Sequence, residues 1–132
     1  MSLFQDGDFT SAAGLHLSWK IECDALTLED WQTIAKVAAP HIGPFHYLFG
    51  VPTGGHIVKA AFSPYRDTSL DNQKGSEGKT MLVVDDVWTT GKSLYAFYNK
   101  IGFTGHNWKG FVGFARGPYP KHRITAFMTT EM

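Results

Sequence analysis

The segment MLVVDDVWTTGKSL, Met81 to Leu94, gathers the residue types that do chemistry. An apolar run from Met81 to Val84 reads as a strand buried on both faces, and it delivers two adjacent carboxylates, Asp85 and Asp86. The strand is expected to end there. Thr89, Thr90, Gly91 and Ser93 then make a hydroxyl-rich turn at a helix start. Backbone N–H groups and the positive end of the helix dipole can hold a phosphate monoester at such a turn without much net positive charge. Gly91 lets the backbone approach closely. Paired carboxylates accept hydrogen bonds from vicinal hydroxyls, directly or with a divalent cation alongside. A ribose 5-phosphate meets both demands.

Rival readings of this segment explain less. A strand-to-helix turn with ordinary cap residues accounts for one hydroxyl, but not for two consecutive acids after a buried strand. Gly91, Lys92 and Ser93 look like the end of a nucleotide-binding P-loop, yet the glycine that motif requires at position 86 is Asp86. No G-x-G-x-x-G dinucleotide fingerprint is present. The other glycine-rich turn, Val51, Pro52, Thr53, Gly54 and Gly55, follows the short apolar run Tyr47 to Val51. Alone it is an ordinary turn. The six histidines include no i, i+4 pair, so a histidine metal site is not expected, and His56 draws notice only for its place beside Gly54 and Gly55. Cys23 reads as a small buried residue with no evident base to activate it.

The elements that must position these residues alternate. Leu15 to Glu22 has the period-two pattern of a half-buried strand, an N-terminal strand or hairpin arm. Thr27 and Asp30 have capping-box spacing before Leu28, Trp31, Ile34, Ala35 and Ala38, which recur at helical intervals until Pro40 stops the helix. Ile57 to Phe62 starts a second helix, and Leu94, Phe97, Tyr98 and Ile101 mark a third, closed by Gly102. Phe111 to Ala115 and Ile124 to Met128 are further apolar segments, separated by the turn-rich Gly117 to Pro120. Between Ser63 and Lys79 only Tyr65 and Leu70 are large and apolar, so an exposed loop is expected. The alternation predicts an α/β fold: a mainly parallel, Rossmann-like sheet flanked by helices, with a small N-terminal β or irregular appendage.

Composition sets the outer limits. The 132 residues suffice for a single domain spanning 1–132, and 43% hydrophobic residues supply a core. Twelve basic against twelve acidic residues leave no global charge to attract nucleic acid or an anionic membrane. One cysteine, no apolar run of spanning length and an acidic N-terminus fit a cytoplasmic setting.

Residues Met81 to Leu94 resemble the PRPP-binding signature of the type I phosphoribosyltransferases, in which a strand ends in two acidic residues and continues through a Thr-Thr-Gly-x-Ser loop. The resemblance implies that Asp85 and Asp86 contact the ribose hydroxyls, one of them assisting at the anomeric carbon. It also implies that Thr89, Thr90, Gly91, Lys92 and Ser93 wrap the 5-phosphate, in a ribose- and phosphate-binding run that includes Val87 and Trp88; Trp88, inside the loop, can shape the ribose site. Phe49 to Gly55 looks like the family's short pyrophosphate loop, which assigns Val51, Pro52, Thr53, Gly54 and Gly55 to the diphosphate. Asp8 to Leu26 is similar to the N-terminal segment of orotate phosphoribosyltransferases, although Ala12 and Ala13 stand where that family has Lys-Ser. Lys20 could substitute for the missing lysine or be a solvated strand lysine. Arg116 lies where those enzymes place an arginine for the base carboxylate, a task its donor fork suits, although an arginine capping the strand end reads nearly as well.

The resemblance thus implies phosphoribosyl transfer from PRPP to a nucleobase, orotate first and another base second, with Mg²⁺ on the departing pyrophosphate, indirectly near Asp85 and Asp86. Homodimers are common among such relatives. Only thirty-five positions separate Gly50 from Asp85, whereas the family fits an extra strand and a long basic flap there. Arg66, Lys74 and Lys79 either form a shortened flap over the reacting centre or belong to a plain surface linker. The alternatives to an enzyme are a PRPP- or nucleotide-binding regulator that lost the flap, and an interaction module using the fold alone.

Overall fold

The computed structural model describes residues 4–10, 16–21, 25–75, 77–102 and 107–130, with side chains between residues 25 and 129. Two strands, β1 (Phe4–Thr10) and β2 (His16–Ile21), pair antiparallel as a hairpin whose register shifts between Asp6 and Phe9. Then follow α1 (Leu28–Ile42), β3 (Tyr47–Gly50), α2 (Gly55–Phe62), β4 (Thr80–Trp88), α3 (Lys92–Ile101), β5 (Asn107–Arg116) and β6 (Ile124–Thr130). The last four strands form one sheet in the order β3-β4-β5-β6, parallel throughout.

The capping box at the start of α1 is present as the sequence predicts. Thr27 N–H donates to Asp30 Oδ2 at 2.9 Å, and Asp30 N–H donates to Thr27 Oγ1 at 3.2 Å. Pro40 does not stop the helix. It sits in the last turn, where a missing N–H costs one hydrogen bond, and the chain leaves the helix at Gly43, whose φ of 83° suits glycine.

Alternation along β4 divides the core in two. Leu82 and Val84 face α1 and α2 together with Trp31, Val58, Phe62 and Phe111. Met81 and Val83 face α3 together with Leu94 and Val112. All ten side chains are at most 2% exposed, each contributing about 1.5–3 kcal/mol of transfer free energy. Gly113 on β5 has no side chain because Trp31 occupies its place.

Since α2 and α3 lie on opposite faces while both crossovers advance one strand in the same direction, the two crossovers have opposite hands. One of them departs from the right-handed rule for parallel strands. The β5–β6 connection is also unusual: β6 begins level with Gly110, so residues 117–123 return about 20 Å along β5. Seven residues that end in a turn, with the Arg123 and Ile124 N–H groups donating to the Pro120 carbonyl, leave no room for a helix.

β4 does not end at the acids. It pairs with β5 through Asp85↔Val112, Val87↔Phe114 and Trp88↔Ala115, so Asp85 and Asp86 are strand residues. Parallel pairing on a buried sheet outweighs the poor strand preference of aspartate.

Candidate functional site at the carboxyl ends of β3 and β4

The loops after β3 and β4 come together at the carboxyl edge of the sheet, the usual ligand side of parallel α/β folds. Val51 N–H donates to the Val84 carbonyl at 2.9 Å, holding the first loop against β4. A β-carbon on Gly54 would collide with the Asp86 carboxylate, so the glycine is what lets the two loops meet. Gly50 and Gly55 approach each other equally closely, backbone against backbone. The Val51, Gly55 and His56 amides are spent on carbonyls of Val84, Val51 and Thr53, whereas those of Thr53 and Gly54 bond to no carbonyl among the described residues. Pro52 and Thr53, joined by a cis peptide bond, are exposed, as is His56 in the first turn of α2.

The second loop encloses a small cavity of about 40 Å³ lined by Asp85 and the run Val87 to Leu94. That is room for about three water-sized groups, the scale of a phosphate and not of a base. α3 begins at Gly91, with φ 82° and no side-chain cap on its first amides; Lys92 N–H reaches Thr90 Oγ1 only at 3.4 Å. The uncapped amides, the partly exposed Thr89 and the exposed Thr90 and Ser93 are donors for an anion at this end of the dipole.

The two aspartates sit side by side, with their side chains hydrogen-bonded to each other. Asp85 lines the phosphate-sized cavity, is 7% exposed, and accepts a hydrogen bond from Asp86 N–H at 2.8 Å. Burial, and after it the neighbouring Asp86, push its carboxyl up to about 8, so it keeps its proton at neutral pH. Asp86, half-buried, lies against Gly54 and accepts from Val87 N–H at 2.8 Å. The pair thus sets a neutral acid by the phosphate-sized cavity beside a second acid at the glycine loop.

Other expected site residues are placed as follows. Trp88 is buried beneath Gly91, where a β-carbon on the glycine would strike the indole, and its Nε1 donates to the Pro118 carbonyl at 3.0 Å. It supports the loop from below. Val87 packs partly into the α1/α2 core, and Lys92 is exposed. Arg116 ends β5 opposite Thr130; it is 6% exposed, and burial lowers its pKa from the usual guanidinium range. Lys20 falls in β2 opposite Gln5, with its side chain outside the described residues; Cys23 lies outside them altogether.

The flap expectation is corrected. The 63–79 segment lies at the amino end of the sheet, because α2 runs back from the carboxyl edge and ends there. Asp67 N–H donates to the Phe45 carbonyl at 2.8 Å. Arg66 bonds to the His46 carbonyl at 3.0 Å and through both terminal nitrogens to Asp71 at 2.8 and 3.0 Å. Lys79 donates to the Gln73 carbonyl at 3.0 Å. None of Arg66, Lys74 and Lys79 is at the carboxyl edge. One contributor escaped the sequence reading: Pro118, whose carbonyl role has no sequence signal.

No family model and no curated protein matches the sequence. Solved structures do match the fold. Orotate phosphoribosyltransferase from Aeropyrum pernix superposes with a TM-score of 0.71 at 22% identity, over 96% of this chain and 88% of that one. UMP synthase of Leishmania donovani gives 0.73 at 15% identity, over 96% of this chain and 33% of that one. The chain has the type I phosphoribosyltransferase fold. A hypothetical protein from Neisseria gonorrhoeae with bound ppGpp is similar too, with a TM-score of 0.59 at 17% identity over 80% of this chain and 82% of that one. In a phosphoribosyltransferase fold of this length, the sheet runs from β3 to β6 and both loops stand at its carboxyl edge. No helix among the described residues is long and apolar enough to cross a membrane.

Proposed function

We infer that the chain transfers a phosphoribosyl group from PRPP to a nucleobase nitrogen, with orotate the first candidate acceptor. The observation that carries this reading is the meeting of Gly54 with the Asp86 carboxylate, which joins a loop offering unspent amides to a cavity of phosphate size. The fold neighbours, among them orotate phosphoribosyltransferases, support it.

In this reading the 5-phosphate sits among Thr89 to Ser93, and the Thr53 and Gly54 amides receive the diphosphate. Asp86 accepts the ribose hydroxyls. The bond from the anomeric carbon to the diphosphate oxygen breaks, its electron pair leaving with the diphosphate. The base nitrogen forms the new bond and gives up its proton where it carries one. Fixed dipoles and charge around the growing positive sugar supply the catalysis.

Among the described residues no three His, Cys, Asp or Glu side chains cluster into a metal cage. With the Asp85 carboxyl neutral, Asp86 is the member of the pair placed to meet a cation, a donor set that fits Mg²⁺ arriving on the diphosphate. The ion would neutralise the leaving group. Isotope-labelled PRPP with a panel of bases tests the proposal: labelled nucleotide with one base supports transfer, and no nucleotide with any base refutes it.

A second reading is favoured by the position of residues 63–79, which leaves the described part of the site without a flap. A PRPP- or nucleotide-binding regulator would bind tightly without turnover, and the nucleotide-bound Neisseria neighbour is consistent with it.

A further inference from the structure

We propose that the amino end of the sheet carries a second anion site, built from Lys109, His122 and Arg123, that takes a phosphate monoester. A cavity of about 370 Å³ opens there, between the first residues of β4 and β5 and the turn before β6. The described residues lining it are Thr80, Asn107, Trp108, Lys109, His122 and Arg123. At about 3.3 Å per residue, Thr80 lies roughly 26 Å from Trp88 along β4, so this cavity is separate from the carboxyl-edge loops.

Its chemistry is one-signed. Two permanent cations and a histidine line it, and no carboxylate does so among the described residues. The cations are positioned, and among the described residues no carboxylate pairs with them. Lys109 Nζ donates to the Ile42 carbonyl at 2.7 Å. Arg123 Nη1 donates to the Trp108 carbonyl at 3.4 Å, and its guanidinium lies 4.6 Å from the centre of the Trp108 ring. Each is held by a neutral partner that uses one donor of the three on an ammonium or the five on a guanidinium. The remaining donors suit the three oxygens of a phosphate, and Thr80 and Asn107 add neutral polar groups.

The second ring face of Trp108 is already occupied. Tyr98 stacks on it with centroids 4.5 Å apart and planes at 22°, so a ligand base would not stack there. The pull is on the phosphate. The volume admits a sugar phosphate or nucleoside monophosphate as well as orthophosphate. In a chain of zero formal charge, with Asp85 and Asp86 at the opposite edge, this concentration of positive charge is local.

Calorimetric titration of the full chain with orthophosphate, ribose 5-phosphate and uridine 5′-monophosphate separates the sources. The carboxyl-edge site is tracked in parallel with the Asp86→Asn and Gly54→Ala variants. We expect one equivalent that survives both variants but binds about tenfold more weakly in Lys109→Gln and again in Arg123→Gln. The exposed His122→Glu weakens it likewise with little risk to folding. An affinity for all three probes unchanged by Lys109→Gln, Arg123→Gln and His122→Glu overturns the proposal. A ligand equivalent lost only in Asp86→Asn belongs to the other site and leaves this one refuted.

Discussion

Gly54 and Asp86 meet across the crevice between β3 and β4, with the glycine's missing side chain making room for the carboxylate. Residues thirty-two positions apart are thereby set in contact, and the two glycine-containing loops become one site. Gly54→Ala should push the carboxylate aside. The expected cost is about 1–3 kcal/mol of stability from overpacking. A displacement on that scale lowers phosphoribosyl transfer about a hundredfold. Urea unfolding and PRPP-dependent kinetics check both.

Asp85 predicts the pH dependence of stability. A carboxyl raised from 3.8 to about 8 binds its proton more tightly in the folded chain. Its stabilising contribution is full below pH 4, declines as pH rises from 4 to 8 by at most about 1.4 kcal/mol per unit, and is flat above. Asp85→Asn, neutral throughout, should flatten that slope. Equal slopes in the two proteins, measured by denaturant unfolding at pH 5, 6.5 and 8, would show that the acid is ionised in the fold.

Trp88 and Gly91 should be energetically coupled. Gly91→Ala carries a strained positive φ and a collision with the indole, while in the Trp88→Ala background only the backbone cost, about 1–2 kcal/mol, remains. The double-mutant cycle should therefore give a coupling of about 1–3 kcal/mol. Additive effects would place the indole elsewhere.

The position of residues 63–79 predicts an absence of effect. Arg66→Ala and Lys74→Ala should leave PRPP affinity and turnover within about twofold of the parent, since exposed changes remote from a site perturb little. Arg66→Ala should still loosen the segment, measured as faster hydrogen exchange at Asp67 and Asp71, because it removes the bonds to His46 and Asp71. A large fall in turnover would return this segment to the reacting centre.

Much of this was legible from local pattern. The capping box at Thr27 and Asp30, the buried run Met81 to Val84 and the helix closed by Gly102 follow from short-range rules, and the structure keeps all three. Long-range pairing was not legible. Asp85 and Asp86 read as the end of a strand, yet pairing with β5 carries β4 on to Trp88 and makes both acids strand residues. Arg66 read equally as flap or linker; the direction in which α2 returns decides, and no local pattern contains it. Pro40 shows the same limit on a smaller scale, since its cost depends on how many turns follow it.

Whether the two carboxyl-edge loops grip one phosphoribosyl ligand is tested directly by diffraction from crystals grown with PRPP. The predicted result is the 5-phosphate within hydrogen-bonding distance of Thr89 to Ser93, the diphosphate at the Thr53 and Gly54 amides, and the ribose hydroxyls at Asp86. Density for the ligand away from both loops, or none at saturating PRPP, would contradict it.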